Sequence, residues 1–284
     1  MSSDTNLQQI TISSFNLDLL KEKLRVFGVA IVKNYLSSEQ LQGIKDEIKH
    51  IDSFPACISQ KHKHPNNDGL VIRLKPDKFL EQQRFIKSAF VNQQLLDIAR
   101  MYFKSDDVDL NDEIFYTHEL PDVKPILPWH FDRRQSLKFY INLEDVDASN
   151  GAFEYCLKSH REGNLRANYH VFKGVPIHEI PNDVPDDELY NETTIVAKAG
   201  DLIIFDAAGF HRGGIIQEGK ERFVIRGHSH PGGAHKYGKA ARFSPEWIAR
   251  SKLNVIKHIG DRIQRKACIS DSLSVLTRKI EKDN

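Results

Sequence analysis

The run Ser136-Leu137-Lys138-Phe139-Tyr140-Ile141-Asn142-Leu143 alternates apolar and polar residues without a break, a period of two that marks a strand covered on one face. Leu137, Phe139, Ile141 and Leu143 share the covered face; Lys138, Tyr140 and Asn142 share the other. Just upstream, Pro128-Trp129-His130-Phe131-Asp132 also reads as a strand. Alternate residues of a strand point to the same side, so His130 and Asp132 can reach one ion. Downstream, the apolar run Leu202-Ile203-Ile204-Phe205 leads into Ala207-Ala208-Gly209-Phe210-His211, which supplies a second imidazole at the end of another strand. Two histidines and a carboxylate make the ligand set that holds Fe(II) on one face and leaves positions open. Each residue alone favours a structural or solvated role. Their joint order points to ligation.

Other strand signals surround these. Glu113-Ile114-Phe115-Tyr116-Thr117 reads as a strand, and Glu221 to His230 reads as another after Gly213, Gly214 and Gly219. Asp147-Ala148-Ser149-Asn150-Gly151 is a turn, and Asn-Gly between alternating runs predicts a hairpin. Several short strands separated by turns predict a sandwich or barrel with a ligand-binding mouth. Helices precede them. Leu17 to Val26 has helical spacing with Asn16 as cap, and strand-like Val29 to Val32 follows Gly28. Ser37 or Ser38 caps a second helix with Leu41, Ile44, Ile48 and Ile51 as its stripe, and Leu80 to Phe103 reads as a third. Ser244 to Lys282 is helical in pattern, with Trp247, Ile248, Leu253, Ile256 and Ile259 as packing residues. Residues 57 to 68 lack periodicity and read as an exposed or mobile loop, in which Lys61, His62, Lys63 and His64 read as a solvated charge run rather than a metal-binding tract. Residues 177 to 192, rich in Pro, Asp and Glu, read as a flap beside the site.

A chain of 284 residues, 40% of them hydrophobic, can bury a large core. Forty Lys+Arg against thirty-nine Asp+Glu leave a net charge of +1, which gives no basic surplus for a nucleic-acid partner. Cys57, Cys156 and Cys268 are widely spaced and read as reduced thiols, so a cysteine-based zinc site is not expected. No apolar run approaches the roughly 18 residues of a membrane span. The expectation is a cytoplasmic protein without a membrane partner.

Iron in such a ligand set needs two electrons from a co-substrate. A 2-oxo acid supplies them by decarboxylating, and its far carboxylate needs a cation. Arg222, eleven residues after His211 on the next strand, offers a fork that donates two parallel charge-assisted hydrogen bonds. Arg226 shares its strand face and is the alternative. His228 and His230 follow with the same parity.

At this point the chain resembles the phytanoyl-CoA dioxygenase family of Fe(II)/2-oxoglutarate-dependent oxygenases. The matching text is Phe27 to Leu36, His130-Phe131-Asp132, Leu137 to Val146 with Asn150-Gly151, Lys158-Ser159-His160, Ala199-Gly200-Asp201, and His211 with Arg222. The resemblance implies a mainly β fold with flanking helices and a double-stranded β-helix core of the jelly-roll, cupin-like kind. One domain would then cover residues 1–284, with N-terminal helices over about 15–105, the core over about 106–232 and C-terminal helices over about 244–282. It also implies that His130, Asp132 and His211 bind Fe(II) and that Arg222 binds the C5 carboxylate of 2-oxoglutarate. With O2, the products would be succinate, CO2 and a hydroxylated small molecule. Asp132 argues for hydroxylation over halogenation, because halogenating relatives vacate that carboxylate position, and it leaves desaturation or cyclisation open. Two departures stand out: Leu157-Lys158-Ser159-His160 replaces the family's Pro-Gly-Ser-His, and Gly213 stands where relatives carry a hydroxyl. Tyr140 and Thr117 are candidates to supply that hydroxyl, and Lys138 joins Tyr140 on the pocket face. Arg73, Arg133 and Arg134 are candidates to attract an anionic substrate. The rival reading is a metal-binding barrel that acts as a sensor or ligand-binding module without oxygenase activity. Nothing in the pattern selects a substrate or an oligomeric state.

Overall fold

A computed structural model of the chain describes residues 3–63, 68–122 and 127–232; the helices expected over 244–282 lie outside them. In chain order the elements are α1 (Ser3–Ile10), β1 (Thr11–Ile12), α2 (Leu17–Phe27), β2 (Val29–Val32), α3 (Ser38–Lys49), β3 (Ile58–Lys63), β4 (Leu70–Leu74), α4 (Arg84–Phe90) and α5 (Gln93–Phe103). They continue with β5 (Val108–Leu110), β6 (Ile114–Glu119), β7 (Leu137–Asn142), β8 (Phe153–Cys156), α6 (His160–Phe172), β9 (Glu192–Ile195), β10 (Leu202–Asp206), β11 (His211–Arg212) and β12 (Arg222–Pro231). The strands form a nine-stranded sheet, ordered β1-β2-β10-β7-β12-β6-β4-β3 with β5 added to β12, and a three-stranded sheet, β11-β8-β9. All pairings are antiparallel except β1 with β2. Together the sheets make the jelly-roll core, a double-stranded β-helix.

The alternating strand sits at the centre of the large sheet as β7, between β10 and β12. Its apolar face packs with Leu202, Ile204 and Ile225 against helical residues such as Leu20, Leu24, Ile44, Ile86 and Leu95. On the opposite face, Val29, Ile31, Ile203 and Phe205 meet Phe153, Tyr155 and Ile195 of the small sheet. Lys138, Tyr140 and Asn142 share this face, and they line a pocket between the sheets. The polar half of the alternation therefore faces a cavity rather than bulk solvent.

Local signals set the helices. Asn16 accepts from the Leu19 N–H at 2.9 Å, and Gly28 stops α2 in the left-handed region at φ 82°. Ser37 and Gln40 form a capping box on α3. Among the described residues, no helix is long and apolar enough to cross a membrane.

Five readings need correction or extension. The helix expected over Leu80–Phe103 is broken: a 3-10 turn at Glu81–Gln83 precedes α4, and Asn92 accepts from the Leu95 N–H at 3.0 Å to start α5. Residues 58–63, read as loop, form edge strand β3 on β4; its largely exposed side chains show no period of two because both faces meet water. The turn at Asn150-Gly151 exists, closed by Asp147 N–H to Asn150 Oδ1 at 2.7 Å. It joins no hairpin, because β7 and β8 lie in different sheets. The acidic stretch 177–192 is packed rather than free: Phe131 N–H donates to Asn182 O and Val184 N–H to Trp129 O. Ile177, Ile180 and Val184 are buried with Trp129, Phe131 and Phe210. Lastly, the N-terminal region adds β1 to β4 to the large sheet as well as helices.

Candidate metal centre and cofactor pocket

Backbone hydrogen bonds bring the three proposed ligands together. His130 and His211 exchange both N–H···O bonds, at 3.1 and 2.8 Å, and Asp132 N–H donates to Ala207 O at 2.7 Å. The segment at 129–132 is thereby tied to Ala207 and to His211 at the start of β11, so the His130/Asp132 pair and an imidazole some eighty residues downstream share one space. Their ligand atoms lie within 4.8 Å of one another. Asp132 Oδ1 is 3.9 Å from His130 Nε2 and 3.8 Å from His211 Nε2.

The tautomers follow from the partners. His130 Nδ1 lies 2.9 Å from Pro128 O and His211 Nδ1 lies 2.7 Å from Gly209 O. A carbonyl only accepts, so each Nδ1 carries the proton and each Nε2 offers a lone pair. Two neutral imidazoles and a carboxylate, each imidazole fixed through its other nitrogen, suit a divalent transition metal. The charges agree. Burial, then the neighbouring His130, holds the His211 imidazole down to about 3, and burial also lowers His130. Burial pushes Asp132 up, but Lys138 and the imidazoles outweigh it and hold the carboxyl at about 2. A proton therefore competes for His211 Nε2 only far below neutrality. Divalent-metal affinity, read by Co(II) titration, should change less than about threefold between pH 8 and pH 6. Two exposed imidazoles near pKa 6.5 would weaken it by roughly tenfold over that range, and such a fall would contradict this description.

Lys138, a candidate co-substrate-binding residue on the pocket face, has a definite partner. Its Nζ lies 2.7 Å from Asp132 Oδ2, which leaves Oδ1 as the oxygen turned toward both imidazoles. Lys138 thus separates the two carboxylate oxygens into one that is held and one that is presented. Lys138→Met should weaken Co(II) binding by roughly ten- to a hundredfold, the usual effect of losing such a support. Lys138→Arg should recover part of it. Unchanged affinity in Lys138→Met would remove this role.

The pocket behind the triad encloses about 710 Å³, counting the space at its open mouth, and Arg222, Arg226, Tyr140, Phe153, Ile203 and Val224 are among its walls. Arg222 lies at the start of β12 opposite Glu119 at the end of β6. Its Nε donates to Glu119 Oε2 at 2.8 Å, and its Nη2 donates to the same oxygen. Thr117 donates its hydroxyl to Glu119 Oε1 at 3.0 Å. Burial raises the Glu119 carboxyl, but Arg222 and Arg226 bring it below the usual range. A Cβ at Gly213 would come within 3.2 Å of Arg222 Nη2, so the glycine in place of a hydroxyl residue leaves room beside the guanidinium.

The sequence pointed to Arg222, Tyr140 and Lys138, and all three face the pocket; Thr117 reaches it through Glu119. Glu119 itself was missed, although it has the strand parity of Thr117. Arg212 was missed too; it lines the pocket, pairs with Glu154 at 2.5 Å and lies over Trp129. His228 pairs with Asp112 at 3.1 Å and His230 Nδ1 meets Gln135 O at 3.0 Å. Arg133 Nε donates to Ile180 O, and Arg73 lies over Phe115.

Solved structures share this architecture. The non-heme alpha ketoglutarate dependent epimerase SnoN from nogalamycin biosynthesis is 14% identical, with a TM-score of 0.53 over 75% of this chain and 81% of that one. The non-heme alpha ketoglutarate dependent carbocyclase SnoK of the same pathway is 14% identical, with a TM-score of 0.53 over 82% and 95%. AviO1 from Streptomyces viridochromogenes Tue57 is 15% identical, with a TM-score of 0.50 over 77% and 96%. No curated protein matches the sequence. The family model for phytanoyl-CoA dioxygenase (PhyH) matches residues 24–224. That match takes in well over half of the chain, which belongs to the phytanoyl-CoA dioxygenase family.

Proposed function

We propose that the chain is an Fe(II)/2-oxoglutarate-dependent oxygenase that hydroxylates a small molecule. The observation that carries this reading is the convergence of two imidazole Nε2 atoms and one carboxylate oxygen beside a pocket that both imidazoles line and that has a buried guanidinium in its wall. His130, Asp132 and His211 would hold Fe(II), and Arg222 would receive the C5 carboxylate of 2-oxoglutarate beside Gly213. Bound iron, 2-oxoglutarate and O2 supply the oxidising power, with succinate and CO2 as by-products. The chain supplies position and exclusion. Pro128 O and Gly209 O fix the imidazole tautomers, and Lys138 orients Asp132. Glu119 fixes one edge of the Arg222 fork while leaving its other N–H groups for an anion. Phe153, Ile203 and Val224 keep the walls apolar, which strengthens each polar contact made inside. Asp132 fills the carboxylate position, which supports hydroxylation over halogenation. The fold also serves an epimerase and a carbocyclase, so the fate of a substrate depends on where the pocket holds it.

The test is turnover. Protein supplied with Fe(II), 2-oxoglutarate and ascorbate in air should release succinate and CO2 in equal amounts, and Asp132→Ala should not. Metal binding without any 2-oxoglutarate consumption would leave a sensor or binding module as the better description.

A further inference from the structure

Ion pairing inside the pocket is uneven. Among the described residues, four cationic side chains line it: Lys138, Arg212, Arg222 and Arg226. Lys138 pairs with Asp132 at 2.7 Å, Arg212 with Glu154 at 2.5 Å, and Arg222 with Glu119. Arg226 forms no ion pair among the described residues. Its neighbour is Tyr140, directly across the strand pair, with the guanidinium carbon 5.5 Å from the ring centroid. The Tyr140 hydroxyl and, without a direct contact, the Glu119 carboxylate favour its charged form. A guanidinium carries five N–H donors, more than one phenol oxygen can satisfy.

Filling the proposed centre does not remove this surplus. The charges of Fe(II) and of the 2-oxoglutarate dianion cancel, and the three ion pairs are each neutral. Among the described residues, Arg226 is then the one uncompensated charge of the pocket's ionic side chains. A partly buried charge without a partner is unfavourable, and the planar fork of arginine is matched best by a carboxylate accepting two parallel hydrogen bonds. Arg226 lies on the same face of β12 as Arg222, four residues further along, and its cross-strand neighbour Tyr140 is two residues from Lys138. It thus stands between the proposed co-substrate anchor and the metal end of the pocket.

We propose that Arg226 is a specificity-determining residue that binds the carboxylate of a small organic monoanion, so that the substrate of this enzyme is a monocarboxylate. This rests on the function proposed above. Val224 and Phe153, beside it in the pocket wall, offer an apolar surface to the rest of such a molecule.

The experiment uses the full chain loaded with Ni(II), which replaces iron without turnover, and 2-oxoglutarate. Straight-chain monocarboxylates of graded length and their matching primary amides are titrated against it, with binding read from the melting temperature. At least one carboxylate should bind tenfold or more tightly than its amide. Arg226→Gln should lose that preference, with carboxylate affinity down by roughly thirtyfold or more, and Arg226→Lys should lie between. The 2-oxoglutarate dissociation constant of Arg226→Gln should stay within about threefold of wild type. Carboxylates and amides that bind alike throughout, or not at all, overturn the proposal, and so does an Arg226→Gln protein that keeps the preference. Loss of 2-oxoglutarate binding in Arg226→Gln also overturns it, by making Arg226 the co-substrate anchor. A wild-type chain that does not bind 2-oxoglutarate would instead overturn the proposed function, and the carboxylate preference is then read in the metal-free chain.

Discussion

Asp132→Ala is expected to weaken Fe(II) or Co(II) binding by at least about a hundredfold, more than loss of any supporting residue. Two effects combine. The variant removes the carboxylate oxygen that faces both Nε2 atoms at 3.8 and 3.9 Å, and it leaves the Lys138 ammonium beside two neutral imidazoles with nothing to hold it. That stranded charge repels an incoming cation. The metal-free fold also loses stability. The Asp132 carboxyl is held at about 2 against an ordinary 3.8, and a depressed carboxylate contributes stability that is present above pH 4 and lost as pH falls toward 2. The difference corresponds to about 2 kcal/mol at neutral pH. Metal titration and chemical denaturation of the metal-free protein check the two effects separately. An Asp132→Ala protein that binds Co(II) like wild type would show that the carboxylate is not a ligand.

Arg222→Ala should separate co-substrate binding from metal binding. Arg222 is 7% exposed and Glu119 2%, so removing the cation leaves a buried carboxylate with the Thr117 hydroxyl and the more distant Arg226. Breaking a buried pair from one side costs about 3–5 kcal/mol. Affinity for 2-oxoglutarate should fall by roughly a hundredfold, while Co(II) affinity stays within about threefold, because no ligand touches Arg222. The double variant Glu119→Ala/Arg222→Ala should regain most of the stability and none of the 2-oxoglutarate affinity. That combination excludes misfolding as the cause. Undiminished 2-oxoglutarate binding in Arg222→Ala would remove Arg222 as the anchor.

Features written in local sequence were legible. The alternation over 136–143 gave β7 and the side on which Lys138 and Tyr140 lie, and Asn16 and Ser37 marked the helix starts they cap. The proposed ligands could be picked out because His130 and Asp132 stand two residues apart and His211 closes an apolar run, although 128–132, read as a strand, is irregular with only an isolated bridge at His130. Pairings between distant strands were not. Glu119 meets Arg222 only because β6 pairs with β12 in one register, and no periodicity within either strand encodes that register. Extending the parity of Thr117 by two residues would have put Glu119 on the pocket face. The link between Lys138 and Asp132 depends likewise on how the 129–132 segment lies over β7. Helix α6 escaped notice because Glu162, Asn164 and Arg166 interrupt any apolar stripe, yet each finds a partner: Arg166 pairs with Glu162 and Glu188, and Asn164 donates to Asp206. Asn150-Gly151 misled because the same turn chemistry serves a crossing between sheets.

The central claim is that one Fe(II) and one 2-oxoglutarate share the space framed by His130, Asp132, His211 and Arg222. Titrating the Fe(II)-loaded protein with 2-oxoglutarate under strict exclusion of O2, and following visible absorption, tests it directly. A weak charge-transfer band should grow to saturation at one 2-oxoglutarate per chain, be absent in His211→Ala, and need far more 2-oxoglutarate in Arg222→Ala. A wild-type protein that binds Fe(II) yet develops no band at any 2-oxoglutarate concentration would contradict it.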